Sequence, residues 1–209
     1  MKCSQFVYNY PIDKSEVLWY NTAILKRKGW CKLKVILVSG KAESGKDLVG
    51  EVLKQEFEHQ QKKVLVVHFA DYLKFMCRQY FGWNGNKDEV GRTLMQYVGT
   101  DLFRGFDKDY FAKRIHELLS VVGENWDYVI IPDLRFKNEF RRIKYSFDAV
   151  AIRVSRTGYK NSLTAEQKSN QSETELDNHL EIFDYIIDTN DAGEKIEQTK
   201  RIAEELLNG

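Results

Sequence analysis

The sequence predicts an α/β protein, a three-layer core around a mainly parallel five-stranded sheet. Three observations carry that expectation. Five short apolar runs, KVILVS (34–39), VLVVHF (64–69), YVIIP (128–132), AVAIRV (149–154) and DYIID (184–188), are spread along the chain. Segments with apolar residues at helical spacing lie between them, which is the alternation of βαβ units. The first run passes directly into a glycine-rich loop, GKAESGKD (40–47), that opens a helical pattern.

Each element has its own signature. KVILVS is continuously apolar, the mark of a strand buried on both faces. Leu48, Val49, Val52, Leu53 and Phe57 then recur at helical spacing, predicting a helix from about 45 to 59. VLVVHF reads as a second buried strand, and residues 71–81, 88–104 and 108–122 as three helices. YVIIP is a third strand, followed by a helix through Phe140 and Ile143. AVAIRV and DYIID are the fourth and fifth strands, and Ile196, Ile202, Ala203, Leu206 and Leu207 mark a final amphipathic helix. Between the last two strands runs RTGYKNSLTAEQKSNQSETELDNH, too long and polar for a core connection. Excursions of that kind are often lids, so a mobile insert is expected over about 156–180.

Composition narrows the class of protein. The chain has 209 residues, enough for one sizeable core with a small appended subdomain. Hydrophobic residues make up 43% and charged residues 30%, the balance of a soluble globular protein. A formal net charge of +1 argues against broad contact with nucleic acid or an anionic membrane. The cluster Lys26, Arg27, Lys28, Lys32 and Lys34 reads as solvated surface. Cys3, Cys31 and Cys77 form no CxxC pair, which fits a reducing, cytoplasmic setting. Charges and Pro11 interrupt the apolar residues of 1–30, so neither a signal peptide nor a membrane span is expected. His68, His116 and His179 show no metal or catalytic spacing. Small-molecule partners, no nucleic acid, no membrane, and a monomer or homodimer are the expectation.

The glycine loop is the most informative stretch. In GxxxxGK[ST] the backbone N–H groups point inward around phosphate oxygens, the following helix adds its N-terminal dipole, and the lysine reaches the outer phosphates. Strand, loop and helix are all present here, with Gly40, Lys41, Ser44, Gly45 and Lys46 in place. Asp47 stands where the pattern has Ser or Thr. A carboxylate is a stronger ligand for a hard cation than a hydroxyl, and it also suits the first turn of a helix. Both readings of Asp47 stay open.

A second acidic residue is expected at the end of a buried strand facing the loop, because ligands of open parallel sheets bind beyond the strands' carboxyl ends. Asp133 follows YVIIP, and Arg135 adds a planar phosphate donor. Asp133 would serve equally as the cap of the next helix. FAD (69–71) ends the second run, with Lys74 one turn on, which sets Asp71 and Lys74 as acceptor-site candidates or, for Asp71, a cap. Arg92, Gln96, Thr100, Asp101 and Arg104 are polar positions within the apolar pattern of 91–115. Arg153 and Arg156 open the insert, as swinging phosphate ligands or as surface charges.

GKAESGKD, FADYLK, LMQYVGTD with DKDYFAKR, and IIPDLRF, in this order, resemble the phage-type deoxynucleoside monophosphate kinases of the P-loop nucleoside-monophosphate-kinase group. That family also carries SGKD in its loop. The resemblance spans about 34–207 and implies a P-loop kinase domain over 32–209, preceded by an N-terminal extension over 1–31. It implies ATP and Mg²⁺ as cofactors, with ATP bound by Gly40, Lys41, Ser44, Gly45, Lys46, Asp47, Arg153 and Arg156. The acceptor monophosphate is implied in a helical region of about 72–125, held by Asp71, Lys74, Arg92, Gln96, Thr100, Asp101, Arg104 and Arg135. Lys46, Asp133, Arg135 and Arg92 are the implied catalytic residues, and Asp47 and Asp133 the metal ligands. The family pattern has a His shortly before the Ser-Glu of the lid, where this chain has Asn170 and Gln171 ahead of Ser172 and Glu173. The expected reaction is γ-phosphoryl transfer from ATP to a (deoxy)nucleoside monophosphate. The loop alone also suits a phosphomevalonate-type or other small-metabolite kinase, or a nucleotide-binding regulator without chemistry.

Overall fold

The computed structural model describes residues 33–86 and 88–209. The N-terminal extension expected over 1–31 and the basic cluster from Lys26 to Lys32 lie outside the described residues.

Five parallel strands form one sheet in the order β2-β3-β1-β4-β5. They are β1 (Lys34–Ser39), β2 (Val64–Val66), β3 (Tyr128–Leu134), β4 (Asp148–Ser155) and β5 (Tyr185–Asp188). β1 is central, pairing Val35 with Val129 on one side and with Ala149 on the other. The β1–β3 register shifts between Leu37 and Ser39, so that Ser39 comes opposite Leu134. The glycine loop therefore leaves the sheet between the carboxyl ends of β3 and β4, the crevice where open α/β sheets bind ligands.

The alternation of β1 explains the layers. Ile36 and Val38 face a core with Val49, Leu53 and Phe57 of α1 (Lys46–His59) and Ile202, Ala203 and Leu206 of α8 (Ala192–Asn208). Val35 and Leu37 face the other core, with helices α2 (Ala70–Tyr80), α4 (Tyr110–Val122) and α5 (Lys137–Ser146) contributing Leu73, Phe111, Ile115, Leu119 and Ile143. Every apolar residue of β1 is thus buried, each side chain stabilising the fold by about 1.5–3 kcal/mol. That is why KVILVS shows no polar alternation.

Two elements differ from the expectation. β2 is three residues long rather than six, and the chain turns after Val66 into α2. The helix expected over 88–104 is α3 (Glu89–Gln96) continued by a wider π-helix over Tyr97–Arg104. Wide turns of this kind concentrate at functional sites. The polar stretch after β4 holds two short helices, α6 (Ala165–Ser169) and α7 (Gln171–Thr174), and buries Leu163, Gln167 and Leu176. Among the described residues, no helix is long and apolar enough to cross a membrane.

Candidate active site

The loop is built by local constraints that only its residue types meet. A Cβ on Gly40 would overlap Ser44 Oγ and lie 2.6 Å from the Val154 carbonyl. Gly45 has φ +91°, a left-handed backbone that other residues adopt only under strain. Glu43 also sits at φ 63°. Its carboxylate holds that position by accepting from the backbone N–H and hydroxyl of Ser162 and from the Tyr159 hydroxyl at 3.3 Å. The residues after β4 are thereby folded onto the loop.

Lys46 opens α1, and its Nζ lies 3.4 Å from the Lys41 carbonyl. Burial and the Arg135 charge lower its pKa, against the negative charges of Asp47, Glu173 and Asp133. That set of neighbours brings together the lysine, the first-turn acid, the end of β3 and α7. Asp47 is exposed, and its carboxylate makes no hydrogen bond among the described residues.

Glu173 is the residue that sequence reasoning missed. Its Oε2 accepts from the Ala42 N–H at 3.0 Å, and Oε1 pairs with Arg135 Nη1 at 2.8 Å. The loop amide and Arg135 together hold this carboxylate. Asp177, not foreseen either, pairs with Lys41 at 2.7 Å and with Arg153 at 2.9 Å. Nothing in a polar, aperiodic stretch distinguishes these two acids from the solvated ones beside them.

Several expected site residues have structural roles here. Asp133 does not cap the helix after it, whose first turn is capped at Phe136. Instead its two oxygens accept from the N–H groups of Phe69 at 2.9 Å and Ala70 at 3.0 Å, capping α2 across the sheet. Arg153 precedes the insert in the chain. It lies within β4, 8% exposed, with Nη1 on Ser39 Oγ at 3.0 Å and Nη2 on Asp177. Burial lowers its pKa and Asp177 opposes that shift.

Arg104 is likewise turned inward. It pairs with Glu139 at 2.8 Å, donates to the Gly99 carbonyl at 3.1 Å, and lies 4.0 Å and 4.6 Å from the ring centres of Phe136 and Phe111. Glu139 is 1% exposed and also accepts the Arg135 and Phe136 N–H groups. Burial pushes its carboxyl up, with Arg104 pulling it down.

The other candidates lie at the rim. Arg156 stacks over Tyr159 at 3.7 Å and donates to the Glu43 carbonyl at 3.2 Å. Arg92 of α3 reaches Ser162 Oγ at 3.2 Å, joining the acceptor region to the insert. Asp71 takes the His68 N–H at 2.9 Å and Lys74 Nζ at 3.1 Å; against its burial, these neighbours hold its carboxyl below the usual range. Gln96 ends α3, while half-buried Thr100 and exposed Asp101 are on the π-helix.

The family model for deoxynucleotide monophosphate kinase matches residues 61–199, more than half of the chain. The chain belongs to the deoxynucleotide monophosphate kinase family. The matched span runs from just before β2 into α8, and the glycine loop precedes it. In this deoxynucleotide monophosphate kinase family member the glycine loop joins β1 to α1 of the five-stranded parallel sheet. No curated protein matches the sequence. Among solved structures, an APS kinase of Mycobacterium tuberculosis in complex with AMPPNP and APS is 10% identical, with 85% of this chain and 99% of that chain covered and a TM-score of 0.49. A shikimate kinase of Acinetobacter baumannii in complex with shikimate is 13% identical, with 84% and 94% covered and a TM-score of 0.43.

Proposed function

We propose that this kinase transfers the γ-phosphoryl group of ATP to a deoxynucleoside monophosphate, giving ADP and the deoxynucleoside diphosphate. One observation carries the reading: the Ala42 N–H of the loop and Arg135 already hold the Glu173 carboxylate, whose charge also acts on Lys46. A phosphate oxygen makes the same demands on an amide N–H, a guanidinium and an ammonium. On this reading the γ-phosphate takes over the contacts of Glu173, which swings out as the nucleotide enters.

A monophosphate acceptor carries ionised oxygens at neutral pH, so no general base is required. The protein's work is then alignment, exclusion of water and neutralisation of charge on the transferring group. Lys46 neutralises the transferring phosphoryl, and Arg135 clamps it from the end of β3. The acceptor sits against the region of about 72–125, with Arg92, Asp71, Lys74, Gln96, Thr100 and Asp101 along its edge. The segment 156–180 serves as a lid, since it reaches the loop through Glu173 and Ser162 and α3 through Arg92.

Among the described residues, no group of three or more His, Cys, Asp or Glu side chains is assembled to hold a metal. A nucleotide-bound Mg²⁺ does not need one, because one or two carboxylates suffice beside the phosphates. The exposed Asp47 carboxylate next to Lys46 fits that part, and Asp133 has accepting capacity left beyond its two backbone bonds. The ion would supply neutralisation of the phosphate charge. The test is a coupled assay of ADP formation with MgATP and each ribo- and deoxyribonucleoside monophosphate, with phosphomevalonate as a further acceptor. Turnover with a deoxynucleoside monophosphate is expected, and turnover with phosphomevalonate alone would overturn the proposal.

A further inference from the structure

Three cations lie against three carbonyls of the glycine loop. Lys46 Nζ lies 3.4 Å from the Lys41 carbonyl, Arg156 Nη1 3.2 Å from that of Glu43, and Lys195 Nζ 2.6 Å from that of Ser44. Lys195 is the unexpected member. It belongs to the first turn of α8, where a lysine is usually solvated, yet it is 4% exposed. Burying an ammonium is costly, and burial and the Arg156 charge do lower its pKa, with Asp188 opposing.

Its position has a consequence for the loop that follows from the planar trans peptide. The C=O and N–H of one peptide unit point in opposite directions. Lys195 holds the Ser44 carbonyl toward α8, so the N–H of the same unit, that of Gly45, is turned away from α8. The Lys41–Ala42 unit shows the same arrangement complete: its carbonyl faces Lys46 and its N–H donates to the Glu173 carboxylate at 3.0 Å. Gly45 is matched to the lysine as well. A Cβ there would lie 2.7 Å from Lys195 Nζ and 3.2 Å from its Cδ.

We propose that Lys195 is a positioning residue for phosphate binding, fixing and polarising the Ser44–Gly45 peptide so that the Gly45 N–H donates to a phosphate of the bound nucleotide. This deepens the proposed function and rests on its reading of the loop as a phosphate cradle. Loss of one aligned, charge-assisted donor should weaken phosphate binding about tenfold or more. A lysine that merely supported the packing of α8 would affect all ligands and the melting temperature together.

The experiment compares wild type, Lys195→Met and Lys195→Gln by calorimetric titration with MgATP, inorganic tripolyphosphate and a deoxynucleoside monophosphate, with melting curves alongside. Lys195→Met should lose affinity for ATP and for tripolyphosphate by the same factor of about ten or more. The deoxynucleoside monophosphate should bind as in wild type. Lys195→Gln keeps a neutral donor and should fall between the two. Unchanged ATP affinity in a folded Lys195→Met overturns the proposal, as does an equal loss for all three ligands. If Lys195→Met does not fold, a Lys195→Gln variant with wild-type affinity for tripolyphosphate overturns it instead. A wild-type protein that binds neither ATP nor tripolyphosphate overturns the cradle reading, and the role of Lys195 with it.

Discussion

Replacing Arg104 by Met separates a structural arginine from an acceptor ligand. The guanidinium pairs with Glu139 at 2.8 Å and with the Gly99 carbonyl at 3.1 Å, and lies between two phenylalanine rings. Met keeps most of the packing on Phe111 and Phe136 but leaves Glu139, 1% exposed, without its cation. Breaking a buried pair from one side costs about 3–5 kcal/mol. The two backbone N–H groups that still reach Glu139 favour the lower end. For a chain of this length each kcal/mol lowers the melting temperature by about 2–4 °C, so a fall of roughly 10 °C is expected.

The same variant has a pH signature. Burial already raises the Glu139 carboxyl, and removing Arg104 raises it further. A carboxyl whose folded-state pKa lies above its unfolded value makes the folded state hold more protons, so stability falls as pH rises. The deficit of Arg104→Met should therefore be largest at neutral pH and shrink on acidification towards the ordinary glutamate pKa of 4.5. Melting curves between pH 5 and 8 read the deficit, and steady-state kinetics well below the melting point read the acceptor KM, which should stay close to wild type. A melting temperature within 2 °C of wild type, with an acceptor KM raised about tenfold or more, would refute the structural assignment.

Lys46→Met should cut kcat about 10²–10³-fold without lowering the melting temperature at neutral pH. The unliganded lysine carries a desolvation cost beside Arg135, fully present below its lowered pKa and relieved as pH approaches its unfolded value of 10.5. Single-turnover rates and melting curves check both halves; near-normal turnover would remove Lys46 from the chemistry. Asp47→Ala should raise the Mg²⁺ concentration for half-maximal rate, with partial recovery in Asp47→Ser. An unshifted magnesium titration together with a lower melting point would make Asp47 a helix-end residue worth about 1 kcal/mol at most. Limited proteolysis within 156–180 should slow when ATP and a monophosphate are bound together, and equal cleavage rates would count against a lid.

The fold was legible because the sheet is buried on both faces. KVILVS, YVIIP and AVAIRV have no polar face, and the strand–loop–helix at 34–59 has only one common architecture. The π-helix at Tyr97–Arg104 was not legible, because apolar spacing near 3.6 does not register the extra residue of a wider turn. That widening accompanies an Arg104 folded back on Gly99, so a residue read as an acceptor-site candidate has its partners in the interior.

The site divides along the same line. Lys46, Asp133 and Arg135 were visible since each follows a buried strand or the loop directly. The roles of Asp133 and Arg153 were not, because their partners, Phe69 and Ala70 for one and Ser39 and Asp177 for the other, come from distant parts of the chain. Lys195 carries no local signal, and Glu173 is marked only as part of the lid's Ser-Glu pair. An acid in a polar stretch and a lysine in a first helical turn are ordinary in sequence, and only tertiary placement sets them on the loop.

Phosphorus NMR of the purified protein with equimolar MgATP and a deoxynucleoside monophosphate tests the central claim most directly. The γ-phosphate resonance should decline in step with the monophosphate resonance, while the paired resonances of two diphosphates grow and inorganic phosphate stays at background. Loss of ATP into inorganic phosphate, or spectra that do not change with any monophosphate, would contradict transfer to a nucleoside monophosphate at this site.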